Sequence, residues 1–426
     1  MKILLIGSGG REHSIALKLK ESPRLLKLYI APGNAGTAEI GTNIPISDSN
    51  IEELLNFALN EEIDLTIVGP EAPLVAGITD LFEQNNLKIV GPDKAGAQLE
   101  GSKKWAKDMM KSCGIPTAGY ENFDSLEPAK EYLTKNNTYP IVIKADGLAA
   151  GKGVIIAQNE TEAFDALDIC FTKKQFGDAG SNIVIEDFLT GEEASILAFT
   201  DGKVIVPMVS AQDHKTVYDG DKGPNTGGMG AYSPAPIVTD KLSKKVYQNV
   251  FLPLLKGFKD AGITYKGIVY AGLMIENGEP YVIEFNARFG DPETQVVLPR
   301  LKTDLIDIFE AIADQRLDQI NIEWKSDAAV CVILAAGGYP GSYEKGKEIT
   351  GLELYETNPN IIPIHAGTKK TDANKIVTNG GRVLGVVSLN PDLQTSINEA
   401  YKAINNINFE NKYFRTDIGA KALRHE

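Results

Sequence analysis

Over the first hundred residues, short apolar runs alternate with stretches whose apolar positions recur at helical spacing. The order is KILLIG, a helical pattern from about Glu12, LKLYIAPG, a helical pattern around 51–60, DLTIVGP, a helical pattern through Leu81, and LKIVGP. This rhythm predicts a doubly wound parallel sheet. The predicted strands end in Gly or Pro, at Gly7, Pro32, Gly69 and Gly91. Loops at the carboxyl ends of such strands are where open α/β sheets bind small molecules.

From Gly101 the pattern changes. YPIVIKADGLAAGKGVIIA reads as two β-runs joined by a glycine-rich turn, with a helix near 162–170, which predicts a small α+β lid unit. The runs IVIEDFL, EASILAFT, KVIVPMVS, GIVYAGLMI and PYVIEFN predict strands across 182–286. They are interrupted by a polar stretch over 211–236, a long loop of the kind that is either functional or disordered. After Trp324, the runs DAAVCVILAAGG, IIPIHAG and RVLGVVSL and a helix near 393–405 predict a C-terminal cap domain. The expected division is an N-terminal α/β domain over 1–102, a central domain over 103–325 with a lid subdomain at about 122–190, and a C-terminal domain over 326–426.

Composition narrows the function classes. The chain has 426 residues, 43% apolar and 23% charged, which suits an ordinary soluble protein of several domains. Its three cysteines (Cys113, Cys170, Cys331) form no C-x-x-C pair, and MKILLIG enters a strand pattern without a cleavable leader, so a cytoplasmic location is expected. No apolar run has the length of a membrane span. A formal charge of -14 argues against wrapping nucleic acid, so an anionic substrate must be held by local Arg, Lys and backbone N–H groups. His13, His214, His365 and His425 stand at no zinc-ligand spacing, and no G-x-S-x-G elbow occurs.

Two glycine-rich places suit phosphate. Gly7-Ser8-Gly9-Gly10-Arg11-Glu12-His13 follows the first strand and opens the first helix, where N–H groups and the helix dipole favour an anion. It departs from a dinucleotide fingerprint, because Glu12 replaces the third glycine and Ala31-Pro32-Gly33 ends the second strand without an acid for a ribose diol. A tight structural turn is the plain alternative. The second place, Lys144 to Val154, has β-runs on both sides and sets lysines around Gly147, Gly151 and Gly153. Glycines let backbone approach triphosphate oxygens, and lysines offset their charge. Gly153 follows Lys152 where a Walker A loop needs Ser or Thr. A flexible hairpin with solvated lysines is the alternative here.

Strand PYVIEFN ends in Glu284 and Asn286, which share a face at period two and suit Mg²⁺, an ion that takes few protein carboxylates. Arg288, Asp291 and Glu293 follow in ARFGDPET, where Arg288 could fork onto a carboxylate. Glu186 and Glu193 flank the Phe188-Leu189 backbone and could accept from an adenine amino group and a ribose diol. Asp213-His214-Lys215 opens the long polar stretch. Each acidic pair could equally be an exposed strand end or a solvated face.

In order along the chain stand GSGGREHSIALKL, APGNAG, VGPEAPLVAGI, GSKKWAKDMM, IVIKADGLAAGKGVI, QDHKTVYDGDKGPNTGGMGAYSPAP, YAGLMI, VIEFNARFGDPETQ, AAGGYPGSYEKG, HAGT and GGRVLGV. Read together they closely resemble, end to end, the phosphoribosylamine-glycine ligases (glycinamide ribonucleotide synthetases), ATP-grasp enzymes of purine biosynthesis. PNTGGMGAYSPAP and EFNARFGDPETQ are the most specific of them. The resemblance implies a multidomain α/β and α+β chain with an ATP-grasp fold, a doubly wound N-terminal domain, a lid and a C-terminal cap. It implies ATP between the lid and the following sheet, with Lys103 and Lys144 on the phosphates and the turn of Gly147, Gly151, Lys152 and Gly153 closing over them. Glu186, Leu189 and Glu193 would hold adenine and ribose, and Glu284 and Asn286 would ligate Mg²⁺ or Mn²⁺. Many ATP-grasp enzymes add an acidic ligand from the preceding strand, but this chain has Ala271-Gly272-Leu273-Met274 there.

The resemblance further implies that Arg288 grips the carboxylate of glycine and Asp291 or Glu293 its ammonium. The Gly9-Gly10-Arg11 corner would take the 5-phosphate of phosphoribosylamine, and Asp213, His214 and Lys215 would sit over the reacting groups. The expected chemistry is γ-phosphoryl transfer to glycine, then attack of the sugar amine on glycyl phosphate. The expected partners are these small molecules, without nucleic acid or membrane, and the chain is expected to be a monomer. The competing expectations are another ATP-grasp ligase, such as a carboxylase subunit or a D-alanine-type ligase, and a nicotinamide-dependent oxidoreductase. Glu12 and the missing acid after the second strand disfavour the last.

Overall fold

The computed structural model of the chain describes residues 1–148 and 153–425, so Gly151 and Lys152 of the expected phosphate turn lie outside the described residues. In the strand Lys2–Gly7, four consecutive side chains from Ile3 to Ile6 are fully buried. Ile3 and Leu5 pack against Ile15 and Leu19 of the helix Gly10–Lys20, while Leu4 and Ile6 pack with Leu54 and Phe82 on the opposite face. A strand covered on both faces is apolar throughout, which is the signature of a parallel sheet between helix layers. The strands run in the order Thr42–Asn43, Lys27–Pro32, Lys2–Gly7, Leu65–Val68, Ile89–Val90, all parallel. The expected doubly wound domain is borne out, with the carboxyl ends of Lys2–Gly7 and Lys27–Pro32 side by side at Gly7 and Pro32.

Glu12 explains the missing third glycine. Its buried carboxylate accepts the Gly9 N–H at 2.6 Å, which caps the first helix, and takes Arg11 Nε at 2.6 Å. A Cβ at Gly7 or Gly69 would collide with the Glu12 side chain, so both glycines make room for this internal cap.

Three further sheets of four or more strands follow among the described residues. Tyr120–Phe123, Ile183–Asp187, Ile141–Ala145 and Val154–Ala157 form a four-stranded antiparallel sheet, with the helices Leu126–Asn136 and Glu160–Leu167 packed against it. Ile205–Pro207, Glu192–Thr200, Gly267–Glu276 and Glu279–Asn286 form the second. In its last pair the register shifts, because Gly272 opposes Glu284 while Leu273 opposes Val282, which leaves Ile283 as a bulge. The third is a C-terminal sheet built on Ala328–Ala336, Arg382–Asn390 and Ile361–His365.

The polar stretch 211–236, expected as a loop, is largely paired. Gln212–Asp213 and Gly230–Ser233 join the C-terminal sheet through Ala328–Ala336, and Thr216–Tyr218 and Lys222–Asn225 form a hairpin between them. Strands this short carry too few side chains to show an alternation in sequence. The hairpin is pinned by Arg415, whose fully buried guanidinium bonds Asp417 at 2.7 Å, the Thr216 carbonyl at 3.1 Å and Asp221 at 3.1 Å. Among the described residues no helix is long and apolar enough to cross a membrane.

Leu5 lies at the centre of the parallel sheet with no exposure. Leu5→Ala is expected to destabilise the protein by about 2–5 kcal/mol, because a buried cavity adds to the lost transfer energy. A lowered denaturation midpoint would show this, and an unchanged midpoint would contradict the packing described.

Candidate active site

Ser102 caps the helix Lys103–Cys113 by accepting the Trp105 N–H at 3.1 Å, and this places Lys103 at the helix start, facing the lid sheet. Lys103 Nζ donates to the Gly147 carbonyl at 2.9 Å, and Gly147 has φ +108°, a conformation that favours glycine. Deeper in the cleft, Lys144 Nζ lies 2.8 Å from Glu186 Oε1 and donates to the Ile283 carbonyl at the bulge at 3.1 Å. Lys107, one helical turn beyond Lys103, lies 2.8 Å from Glu186 Oε2. Sequence reasoning missed Lys107, although its i+4 spacing from Lys103 was the signal. Burial pushes the Lys107 ammonium down to about 8 despite Glu186 beside it. Leu189 is half-buried in the short turn between Ile183–Asp187 and Glu192–Thr200.

Beside this cleft, Lys215 Nζ lies 2.9 Å from Glu193 Oε2 and 3.5 Å from Glu284 Oε1. Buried Glu293 accepts the Tyr270 hydroxyl at 2.9 Å and the Ser195 hydroxyl at 3.3 Å. Burial pushes the Asp213 carboxyl up to about 8, and the charges of Glu293, Glu193 and Glu284 add to that against Lys215. Burial also works against the charge of Lys215, but Glu193, Glu284 and Asp213 more than offset it and hold its pKa well above the usual range. Lys215, with help from Lys144 and Lys103, holds Glu284 below the usual carboxylate range against the effect of burial.

His214 departs from the expected trio. The backbone alternation that turns Asp213 and Lys215 towards these carboxylates turns His214 the other way, against Tyr232 at 5.9 Å between ring centroids. Burial pushes its pKa down to about 3, with Arg415 and Lys421 of the C-terminal domain adding to the effect. Its ring is neutral near pH 7 and faces Tyr232, away from the lysine cleft and from the side to which Asp213 and Lys215 turn.

Glu284 and Asn286 oppose Gly272 and Tyr270 on the neighbouring strand. A Cβ at Gly272 would stand 3.2 Å from Glu284 Cγ, so the glycine in the run Ala271-Gly272-Leu273-Met274 makes space for Glu284. Among the described residues no three His, Cys, Asp or Glu side chains converge as a metal site. The set of one carboxylate and one amide oxygen fits a hard divalent ion that completes its shell with phosphate and water.

The turn 290–293 sends its two acids to different places. Glu293 turns to Tyr270, Ser195 and the side of Asp213, whereas Asp291 meets Arg382 Nη2 at 3.1 Å and the Gln295 amide at 2.7 Å. Asp291 and Arg382 line a cavity of about 300 Å³ with Ser8, Gly9, Asn34 and Thr368, where the N-terminal and C-terminal domains meet. The donors expected there for a phosphate are partly committed, because the Gly9 N–H goes to Glu12 and Arg11 is spent on Glu12 and the Phe289 carbonyl. Asn34, Thr368 and Arg382 were missed as site residues, although the segments APGNAG, HAGT and GGRVLGV carry them. Arg288 forks onto Glu100 at 2.7 Å and Glu71 at 3.3 Å, and these carboxylates hold its pKa up against burial.

A lid sheet that carries Lys144 and Glu186, facing an antiparallel sheet that carries Glu193 and Glu284, with Lys103 and Lys107 on the helix beside them, is the arrangement of the ATP-grasp class of protein. Family models for phosphoribosylglycinamide synthetase match along the chain: the N domain at residues 1–100, the ATP-grasp (A) domain at 101–294 and the C domain at 329–421. A phosphoribosylamine–glycine ligase of Salmonella typhi is 50% identical over 429 aligned positions, which cover 100% of each chain. The crystal structure of the phosphoribosylamine–glycine ligase from Thermotoga maritima matches with a TM-score of 0.86 at 34% identity, covering 98% of this chain and 100% of that one. The biotin carboxylase domain of the Hydrogenobacter thermophilus 2-oxoglutarate carboxylase, solved with MgADP and bicarbonate, shares the fold at a TM-score of 0.73 and 16% identity, over 97% of this chain and 91% of that one. The chain belongs to the phosphoribosylglycinamide synthetase family.

Asp213 has a folded pKa above its ordinary value, so its contribution to stability is full below pH about 4 and is lost as the pH rises through about 8. Asp213→Asn removes that titration. The stability of the wild type minus that of the variant should therefore fall between pH about 4 and about 8 in denaturant melts, and parallel profiles would contradict the burial of an uncompensated carboxyl there.

Proposed function

We propose that the chain ligates glycine to 5-phosphoribosylamine, converting ATP to ADP and phosphate and yielding glycinamide ribonucleotide. It is an ATP-dependent ligase of purine biosynthesis. The observation that carries this reading is the position of Lys215, shared by Glu193 and Glu284, between the Lys103 and Lys144 cleft and the Asp213 and Glu293 carboxyls.

Lys103 and Lys144 are assigned to the triphosphate, together with the turn of Gly147, Gly151, Lys152 and Gly153. Glu186, Leu189 and Glu193 are assigned to adenine and ribose. Glu284 and Asn286 would hold Mg²⁺, or Mn²⁺ in its place. That ion, when bound, neutralises charge on the phosphoryl oxygens. Arg288, steadied by Glu100 and Glu71, is assigned to the glycine carboxylate, and Glu293 with Asp213 to its ammonium. Asp291 stands instead with the cavity that we assign to the sugar amine, where Arg382, Asn34 and Thr368 join the Gly9-Gly10-Arg11 corner around the 5-phosphate.

A glycine carboxylate oxygen takes the γ-phosphoryl group and ADP leaves. The amine nitrogen then bonds to the acyl carbon, the carbon–oxygen bond to phosphate breaks, and the amine gives up a proton. No covalent enzyme nucleophile is needed. The residues must position three substrates, neutralise phosphoryl charge and keep water from an acyl phosphate. We retain the division 1–102, 103–325 with a lid at about 122–190, and 326–426, and read the protein as a cytoplasmic monomer that acts on neither nucleic acid nor membrane. The acidic net charge supports the reading on nucleic acid, and the three free cysteines support the reading on location.

Phosphate release from MgATP should require both glycine and phosphoribosylamine. Release indifferent to glycine, or D-alanine or bicarbonate serving equally well, would sink the assignment. Glu284→Ala should lower kcat by at least ~10²-fold in a protein that still melts cooperatively, because charge on the transferring group loses its stabilisation. Near-normal turnover would refute the role given to Glu284.

A further inference from the structure

Glu186 is a buried carboxylate with two lysines, each 2.8 Å away, where one would balance its charge. The two lysines are held differently. Lys107 is 1% exposed, and its ammonium also donates to Thr117 Oγ1 at 2.7 Å. The Thr117 hydroxyl in turn donates to the Val282 carbonyl at 2.6 Å, which locks Lys107 between its helix and the strand Glu279–Asn286. Lys107 cannot reach a ligand in the cleft. Lys144 sits at the end of a lid strand, and its other partner is only a neutral carbonyl, that of Ile283, next to Glu284.

We propose that Lys107 is a positioning residue: it is the standing counter-ion of Glu186, and so allows Lys144 to leave Glu186 for the triphosphate. The inference rests on the assignment of ATP to this cleft. When Lys144 turns to phosphate, Glu186 keeps Lys107 and remains a neutral pair. Without Lys107, the departure of Lys144 would strand a buried carboxylate, a strongly unfavourable state. Lys144 would then stay on Glu186, and the triphosphate would lose a cation. Lys107 thereby sets ATP affinity without touching ATP.

The test is a double-mutant cycle on the full chain, read as the KM for ATP with the KM for glycine as internal control. Lys107→Met should raise the ATP KM about tenfold or more and leave the glycine KM within about twofold. In a Glu186→Gln background, where no buried carboxylate needs a partner, the same substitution should change the ATP KM by less than about twofold. An ATP KM unchanged in Lys107→Met, or an equal rise in both backgrounds, would overturn the proposal. If Lys107→Met does not fold, the comparison of Lys107→Met/Glu186→Gln with Glu186→Gln alone decides. Equal ATP KM values there support the proposal, and a tenfold difference overturns it. A wild type without saturable dependence on ATP would overturn the ATP assignment and this inference together, whereas a normal wild type with an unaffected Lys107→Met overturns this inference alone.

Discussion

Three carboxyls, Glu193, Asp213 and Glu284, act on the ammonium of Lys215, a fourth, Glu293, acts on Asp213, and the rest of the site depends on that crowding. They come from separate parts of the fold: two strands that flank Gly267–Glu276 in one sheet, a stretch paired into the C-terminal sheet, and the turn 290–293. Side chains of like charge do not gather unless backbone holds them there. Hydrogen bonds of the sheets, the bulge at Ile283 and the buried Arg415 staple supply that restraint. The surplus shows in Asp213, which burial and its neighbours push up to about 8. A site with more carboxylate than cation is matched to substrates that bring cations, here an ammonium and a divalent metal.

Around that centre, charges are closely balanced. Glu186 has Lys107 and Lys144, Arg288 has Glu100 and Glu71, and Asp291 has Arg382. These pairs mark the margins of the cleft and of the neighbouring cavity, where groups must be held in place until a ligand arrives. The contrast between a balanced rim and an unbalanced centre suits a reaction whose demands are positioning and charge neutralisation.

Much of the fold was legible because buried strands and amphipathic helices leave strong local patterns. The run from Ile3 to Ile6 announced a central parallel strand, and the helix Ile51–Asn60 lies where the spacing placed it. The strands inside 211–236 were not legible, since two to four residues give no period and Gly230–Ser233 takes its place in the sheet from a partner about a hundred residues away. The site was legible by motif but not by neighbourhood. Asp213, His214 and Lys215 are adjacent in sequence, yet strand alternation sends His214 to the other side. Asp291 and Glu293, two residues apart, are sent to different places by the turn that holds them, where no strand alternation applies. Lys107 was hidden as one more lysine on a helix, and the cavity at Arg382, Asn34 and Thr368 is assembled from contacts between distant segments that no local pattern records.

The account centres on activation of a carboxylate by phosphoryl transfer, and the fate of one oxygen atom tests it most directly. Glycine labelled with ¹⁸O in its carboxylate should pass one labelled oxygen to the inorganic phosphate released in each turnover with MgATP and phosphoribosylamine, because the bridging oxygen of the acyl phosphate leaves with phosphorus. Phosphate free of the label, with glycinamide ribonucleotide still formed, would contradict the account.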